Sequence, residues 1–219
     1  MLNTRYSDIV NNTDQFAFHI LGCGAIGSSA ATQICRMGGT DFILYDYDKV
    51  DIVNIGVSQY NNNDINKYKV DALEEHLKAI NPRIDVDKFN ERFKNYSPRS
   101  NDIAILGFDS MEARLEAVEV MCQINCAKPK FIIDGRMGAE HYQQYIFDNP
   151  TVTKYKKEWY SDESGSVDPC NAKATAYCSN MSGSFIANAV RKLITNQPYN
   201  RKFSFNFPIM GLEKSKMLS

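Results

Sequence analysis

The sequence has little of several features that define particular classes of protein. No apolar stretch approaches the roughly 20 residues of a membrane-spanning helix, and residues 1–12 are polar. We therefore expect a soluble protein with no membrane partner. The formal net charge is −1, without a dominant basic patch, which argues against nucleic acid as the main partner.

Patterns of metal-ligating residues are also scarce. The six cysteines are spread along the chain and none belongs to a C-x-x-C pair, so we expect no zinc site. The three histidines stand apart, without the spacing of a ligand pair. Scattered cysteines in a chain of ordinary size favour a reducing compartment, so we expect the protein to be cytoplasmic.

The most informative feature that is present is a glycine motif. An apolar run, residues 16–21, leads into G-C-G-A-I-G at residues 22–27, and a second apolar run, residues 42–45, ends at Asp46. In a βαβ nucleotide-binding unit the glycines make a tight turn against phosphate, and the helix N-terminus stabilises the anion. The acid after the second strand then binds the ribose. The sequence therefore predicts a nucleotide site.

Strands and helices continue to alternate after this unit. Apolar spacing predicts helices over residues 70–80 and 111–126, and strands over residues 84–89, 102–106 and 131–134. Such alternation is typical of an α/β fold with a doubly wound, Rossmann-like, mostly parallel sheet.

The C-terminal third has a different pattern. Residues 141–147 alternate polar and apolar, as an antiparallel edge strand does. We expect an irregular loop over 149–177, a helix over 181–194 and a last strand over 203–209, so that antiparallel strands form this edge of the sheet. The length suits one domain over residues 1–219, with its core at 16–195.

Further residues extend the motif in a recognisable order. The chain offers an acid pair, an asparagine and a glutamine, a lysine and a strand-ending aspartate, namely Asp46, Asp48, Asn54, Gln59, Lys69 and Asp109. In this order the sequence resembles the ThiF/MoeB/HesA-type adenylating enzymes of the ubiquitin-activating-enzyme superfamily. The resemblance covers roughly residues 16–195.

The resemblance implies a function. Family members use ATP and Mg²⁺ to adenylate the C-terminal carboxylate of a ubiquitin-like or sulfur-carrier protein or a peptide, usually as homodimers. It also implies a nucleotide site made of the glycine motif, the acid pair and the residues after them: Gly22, Gly24, Ala25, Gly27, Asp46, Asp48, Asn54, Gln59, Lys69, Asp109 and Ser110. Lys69 would contact the phosphates, and Asp109 would hold Mg²⁺.

Three of these roles have simpler alternatives. Lys69 could be a solvated surface charge, and Asp109 could only cap the following helix. By resemblance, Cys170 stands where many family members keep a cysteine that forms a thioester or persulfide, but it could equally be a structural cysteine. We expect Arg114 to be structural, paired with Asp109 or another acid nearby.

The chain also departs from the family pattern at two arginines. The family's N-x-x-R-Q becomes Asn54 to Gln59 with an extra residue and no arginine, and Asp8 replaces the second arginine of R-Y-x-R. An arginine on a transferring phosphoryl group contributes about 10³–10⁵ in rate. Arg5, Lys67 and Arg136 are candidates to replace them. The alternatives are therefore a degenerate nucleotide- or protein-binding module and, from the glycines alone, an NAD-dependent oxidoreductase.

Overall fold

The fold is built on a mixed sheet, seen in a computed structural model that describes residues 5–99, 101–124, 126–164 and 174–218. The strands in this part of the chain are β1 Ala17–Leu21, β2 Asp41–Tyr45, β3 Asp85–Phe89, β4 Asp102–Leu106, β5 Phe131–Gly138, β6 His141–Asp148, β7 Tyr199–Asn200, β8 Lys202–Asn206, β9 Gly211–Lys214 and β10 Met217–Leu218.

The strand order confirms the predicted fold class. The main sheet runs β3-β2-β1-β4-β5-β6-β8-β9. Its first five strands are parallel, and β6, β8 and β9 add antiparallel pairings at the C-terminal edge. β7 and β10 form a separate two-stranded sheet. The result is a doubly wound α/β sheet with an antiparallel edge.

Helices cover both faces of this sheet. They are α1 Ala25–Arg36, α2 Ile52–Ile55, α3 Lys69–Ile80, α4 Met111–Met121, α5 Val152–Lys156 and α6 Ala176–Ile194. Alternate residues of the central strands enter two separate cores, as the period of a strand requires. One core contains α1, α3 and α6, and the other contains α4 and α5.

Several predicted boundaries were wrong, including that of β5, which continues to Gly138 and does not end at residue 134. α4 ends at Met121, because Cys122 leaves helical geometry before the chain turns towards β5. The expected loop over 149–177 contains α5 and a 3₁₀ turn at Asp162–Ser164. The last strand is a hairpin, β8–β9, which turns at residues 207–210.

The beginning of α6 was also predicted too late. Its first turn contains the small buried residues Cys178 and Ser179, and further along, within the predicted helix, a Cβ on Gly183 would lie 2.2 Å from Ser29 Oγ of α1. Ser179 Oγ donates to Ala25 O at 2.9 Å. The helix therefore packs here through close backbone approach, which a search for large apolar residues does not detect.

The topology creates a crevice at one edge of the sheet. β1 and β4 are neighbours, and the helices that follow them, α1 and α4, pack on opposite faces. At such a switch point the carboxyl ends of the two strands open a space between their loops, where α/β proteins bind ligands. The glycine motif follows β1, and Asp109 follows β4.

Candidate functional site

The glycine turn brings three stretches of backbone close together. Gly22 has φ of +90°, and its N–H donates to Tyr45 O at 2.9 Å. A Cβ on Gly22 would lie 2.8 Å from the carbonyl carbon of Gly107, and a Cβ on Gly27 would lie 1.8 Å from Gly22 O. Glycine is therefore required sterically at both positions of the motif.

Gly24 has a different environment. It is the N-cap of α1 and no side chain caps the helix there. A Cβ at this position would meet nothing within 4 Å. The space beside Gly24 is therefore open, at the positive end of a twelve-residue helix. This arrangement suits an anion such as phosphate.

Asp46 connects the end of β2 to the glycine turn. Its Oδ2 accepts a hydrogen bond from Cys23 N at 2.7 Å, and its Oδ1 accepts one from Asp48 N at 2.9 Å. The side chain is only 9% exposed. Burial raises the pKa of this carboxyl, while the charge of Lys69 and the two backbone hydrogen bonds oppose that shift.

Lys69 completes this side of the crevice. Its Nζ donates to Asp48 Oδ2 at 2.7 Å and lies 4.0 Å from Asp46 Oδ1. Burial by itself would lower the pKa of Lys69, but the two carboxylates outweigh it and the pKa is raised. The buried ammonium therefore stays charged, and Lys69 is not a solvated surface lysine. It is also the first residue of α3, where the helix dipole disfavours a cation.

Sequence reasoning missed a tyrosine that supports this arrangement. The buried Tyr60 hydroxyl lies 2.6 Å from Cys23 O and 3.1 Å from Lys69 O. It therefore connects the glycine turn to the first turn of α3. A lone tyrosine in a polar segment carries no signal of such a role.

Asn54 and Gln59 have local structural partners. Asn54 Oδ1 accepts from Asp51 N at 2.9 Å, which caps the short helix α2. The backbone N–H of Gln59 donates to Ser28 Oγ at 3.2 Å, and its Nε2 donates to Asn180 Oδ1 at 2.8 Å. Gln59 therefore joins this loop to α1 and α6 beside the glycine turn, whereas Asn54 orders the loop itself.

Asp109 lies on the other side of the crevice. Gly107 N donates to Leu21 O at 2.8 Å, which holds the end of β4 against the glycine turn. The Asp109 side chain is exposed and forms no hydrogen bond or ion pair with the described residues. Ser110 is the N-cap of α4, since its Oγ accepts from Ala113 N at 3.0 Å. The alternative that Asp109 serves as the cap is therefore wrong.

A buried charge cluster lies behind Asp109. Asp134, on β5, is fully buried and pairs with Arg114 and with Arg136, whose Nε lies 2.8 Å from Asp134 Oδ2. The Tyr155 hydroxyl adds a hydrogen bond to Asp134 at 2.9 Å. Arg114 is structural, as expected, but its partner is Asp134 and not Asp109.

The two arginines extend from this cluster in different directions. Arg114 donates to Leu106 O at 3.2 Å and to Phe108 O, at the end of β4. Arg136 donates to Glu158 O at 2.8 Å. Both guanidinium groups are buried, so neither is free to reach a ligand in the crevice.

Cys170 lies outside the described residues. Two other cysteines are poor nucleophiles: burial raises the pKa of Cys178 to about 11, and burial together with the charge of Asp46 raises that of Cys23 well above its usual value. A thioester role therefore stays a prediction for Cys170.

Metal ligands do not cluster in the described part of the chain, where no three His, Cys, Asp or Glu side chains are grouped to hold an ion. Mg²⁺ in nucleotide sites is commonly bound through one or two carboxylates and the substrate phosphates. The exposed carboxylate of Asp109 fits that mode of binding. Among the described residues, no helix is both long and apolar enough to span a bilayer.

Comparison with known proteins adds a family and several relatives. A profile of the ThiF family matches residues 10–218. Ubiquitin-like modifier-activating enzyme 5 of Caenorhabditis briggsae is 34% identical over 118 residues, which are 47% of this chain and 27% of the relative. The same enzyme of Rattus norvegicus is 31% identical over 123 residues, 49% of this chain and 30% of the relative. The chain thus matches less than a third of either relative.

Solved structures share the fold. The chain resembles Escherichia coli MccB bound to ATP with a TM-score of 0.72 and 15% identity, covering 95% of this chain and 66% of MccB. It resembles PaaA with a TM-score of 0.73 and 19% identity, at the same coverage. At these identities the likeness shows the architecture alone.

Proposed function

Because the chain belongs to the ThiF family, we propose that it is an ATP-dependent enzyme that adenylates a carboxyl terminus. The observation that carries this proposal is the crevice itself. An open helix N-terminus and a buried, charged lysine lie on one side, and the exposed carboxylate of Asp109, which has no partner among the described residues, lies on the other. This combination suits a triphosphate with a bound cation better than a dinucleotide, which uses the glycines and Asp46 but needs neither Lys69 nor Asp109.

In the proposed reaction the residues bind, orient and neutralise charge. The backbone in front of Gly24 and Ala25 holds phosphate oxygens, and Asp46 accepts the ribose hydroxyls. Lys69 donates to the phosphates, with Asp48 holding its ammonium in place beforehand. Asp109 would hold Mg²⁺, which neutralises phosphate charge when it is bound.

The chemistry is an in-line displacement. An oxygen of the substrate carboxylate attacks the α-phosphorus of ATP, the bond to the bridging oxygen breaks, and pyrophosphate leaves with that electron pair. The product is an acyl adenylate. In a second proposed step the Cys170 thiolate attacks the acyl carbon, a thioester forms and AMP leaves.

The relatives suggest the class of substrate. The curated relatives are named for ubiquitin-like modifiers, and the neighbour MccB has been crystallised with N-formylated MccA. We therefore propose a ubiquitin-like protein, a sulfur carrier or a peptide as substrate, and a homodimer as the working form. Five described cysteines are free, which suits the proposed cytoplasmic location.

Pyrophosphate–ATP exchange tests the proposal. Radiolabelled pyrophosphate should enter ATP only when a suitable carboxylate substrate is present, since exchange needs the reversible adenylation step. Small proteins and peptides ending in glycine form the first panel, and amidated versions are the matched controls. Exchange that does not depend on a free carboxylate would contradict the proposal.

A second candidate is a degenerate module that binds nucleotide without catalysis. The observation in its favour is that two of the three candidate replacement cations, Lys67 and Arg136, are already engaged. Arg136 pairs with the buried Asp134, and Lys67 pairs with Glu75 at 2.5 Å and with Asp64 at 3.6 Å. Introducing Val57→Arg should raise exchange in a weak enzyme and leave a pure binding module inactive.

A further inference from the structure

The loop that carries Asp109 is fixed on both sides. Before Asp109, Phe108 O accepts a hydrogen bond from the buried guanidinium of Arg114. After it, Ser110 caps α4. The exposed carboxylate of Asp109 therefore extends from a short backbone segment whose two ends are held by hydrogen bonds.

The segment that follows α5 also forms hydrogen bonds with this loop. Met111 N donates to both carboxylate oxygens of Asp162, each at 3.1 Å. Met111 O accepts from Trp159 Nε1 at 2.7 Å. Both the donor and the acceptor of one backbone residue, two positions after Asp109, are therefore held by the segment that follows α5.

These contacts exceed what capping of α4 requires. Ser110 already supplies the N-cap, and Asp162 adds a negative charge at the positive end of the helix. The same segment is connected to the buried cluster, because Glu158 O accepts from Arg136. Glu163, the next residue in the same 3₁₀ turn, is exposed and forms no hydrogen bond with Met111. The presence of the turn therefore does not by itself account for the hydrogen bonds that Asp162 accepts from Met111 N.

We infer that Asp162 is a positioning residue for the proposed cation-binding carboxylate of Asp109. The inference rests on the proposed function, in which one protein carboxylate and the ATP phosphates share the metal. Since a single carboxylate contributes all of the protein's direct ligation there, its placement controls metal affinity. Residues that orient a metal ligand typically affect metal affinity or activity by about 10–100-fold.

The test measures ATP affinity by equilibrium dialysis, with Mg²⁺ and with EDTA, for wild type, Asp162→Ala, Asp162→Asn and the matched control Glu163→Ala. Affinity in EDTA should be the same for all four proteins. With Mg²⁺, Asp162→Ala should bind ATP about tenfold more weakly than wild type. Asp162→Asn, which keeps one acceptor oxygen, should recover part of the loss, and Glu163→Ala should match wild type.

A second readout follows the hydrogen bond between the Trp159 indole and Met111 O. Trp159 is the only tryptophan of the chain, so fluorescence emission reports on the surroundings of this indole. Asp162→Ala should shift that emission towards the red, as the indole becomes more exposed to water. If this variant does not fold, Trp159→Phe, which removes only the indole donor, should weaken Mg²⁺-dependent binding in the same direction.

The outcomes separate the two proposals. Wild type that gains no ATP affinity from Mg²⁺ would refute the metal site of the proposed function, and this inference with it. If Mg²⁺ does raise the ATP affinity of wild type, and Asp162→Ala binds ATP with Mg²⁺ as tightly as wild type or more tightly, the inference about Asp162 fails while the metal site of the proposed function stands. Asp162 would then be only a cap or an obstruction.

Discussion

The two sides of the crevice hold their charged groups in opposite ways. On the β1–β2 side Lys69 and Asp46 are themselves buried, and Lys69 is paired directly: its Nζ lies 2.7 Å from Asp48 and 4.0 Å from Asp46. On the β4 side Asp109 is exposed and unpaired among the described residues, and the pairing lies behind it, at Asp134. One side positions charge by direct contact, and the other positions a free carboxylate through the backbone.

This difference has a chemical meaning. A lysine that must meet phosphate benefits from a preorganised, charged state, which the neighbouring carboxylates provide. A carboxylate that must ligate a cation has to be unpaired until the cation arrives. Its orientation therefore has to come from its backbone.

The largest expected effect comes from the buried cluster. Asp134→Ala leaves Arg114 and Arg136 without their shared anion, and we expect the free energy of unfolding to fall by about 3–5 kcal/mol. Urea denaturation measures this. Asp48→Ala is the comparison on the other side, because Asp48 is 50% exposed and its pair should contribute about 1 kcal/mol or less. Equal losses of unfolding free energy in Asp134→Ala and Asp48→Ala would contradict the proposed difference between the two sides of the crevice.

The next effect separates two glycines of one motif. Gly27→Ala places a Cβ 1.8 Å from Gly22 O, and we expect it to destabilise the fold by about 1–3 kcal/mol. Gly24→Ala meets nothing within 4 Å, so its stability should change by about 1 kcal/mol or less. It should nevertheless weaken ATP binding, because its methyl group enters the proposed phosphate space. Thermal unfolding and ATP dialysis together check the pair, and a Gly24→Ala protein that binds ATP normally would place the phosphates elsewhere.

The smallest effect is the pH dependence of stability at Asp46. Burial raises the pKa of this carboxyl from its ordinary value of 3.8, so the folded protein holds the proton more tightly than the unfolded chain. The stabilisation is complete below that ordinary value and is lost as pH rises through the raised pKa. Relative to wild type, Asp46→Asn should therefore gain stability as pH rises through this range. Urea melts of both proteins at several pH values measure this difference. Curves of unfolding free energy against pH that stay parallel for wild type and Asp46→Asn would contradict the expectation.

Much of this architecture could be predicted from the sequence. Apolar runs followed by glycines or acids identified β1, β2 and β4, and with them the positions of the glycine turn, Asp46 and Asp109. These signals are local, because a buried parallel strand is continuously apolar and its carboxyl end carries the ligand-binding residues.

The buried residues and loop contacts that support the site from behind could not be predicted from the sequence. Asp134 and Arg136 lie two residues apart in a strand, a spacing with no specific meaning, and their partners Arg114 and Tyr155 come from two different helices. The contacts of Trp159 and Asp162 arise from a segment that composition marked only as a loop. Such long-range pairs depend on the packing of the complete fold.

We propose that a triphosphate binds between the glycine turn and Asp109, next to Lys69. Equilibrium binding of ATP with Mg²⁺, compared with NAD⁺, to wild type and Lys69→Gln is the decisive test. We expect ATP to bind and NAD⁺ not to bind, and Lys69→Gln to lose about 1.5–3 kcal/mol of ATP-binding free energy, which is tenfold or more in Kd. Equal affinity of the two proteins for ATP, or preferential binding of NAD⁺, would contradict it.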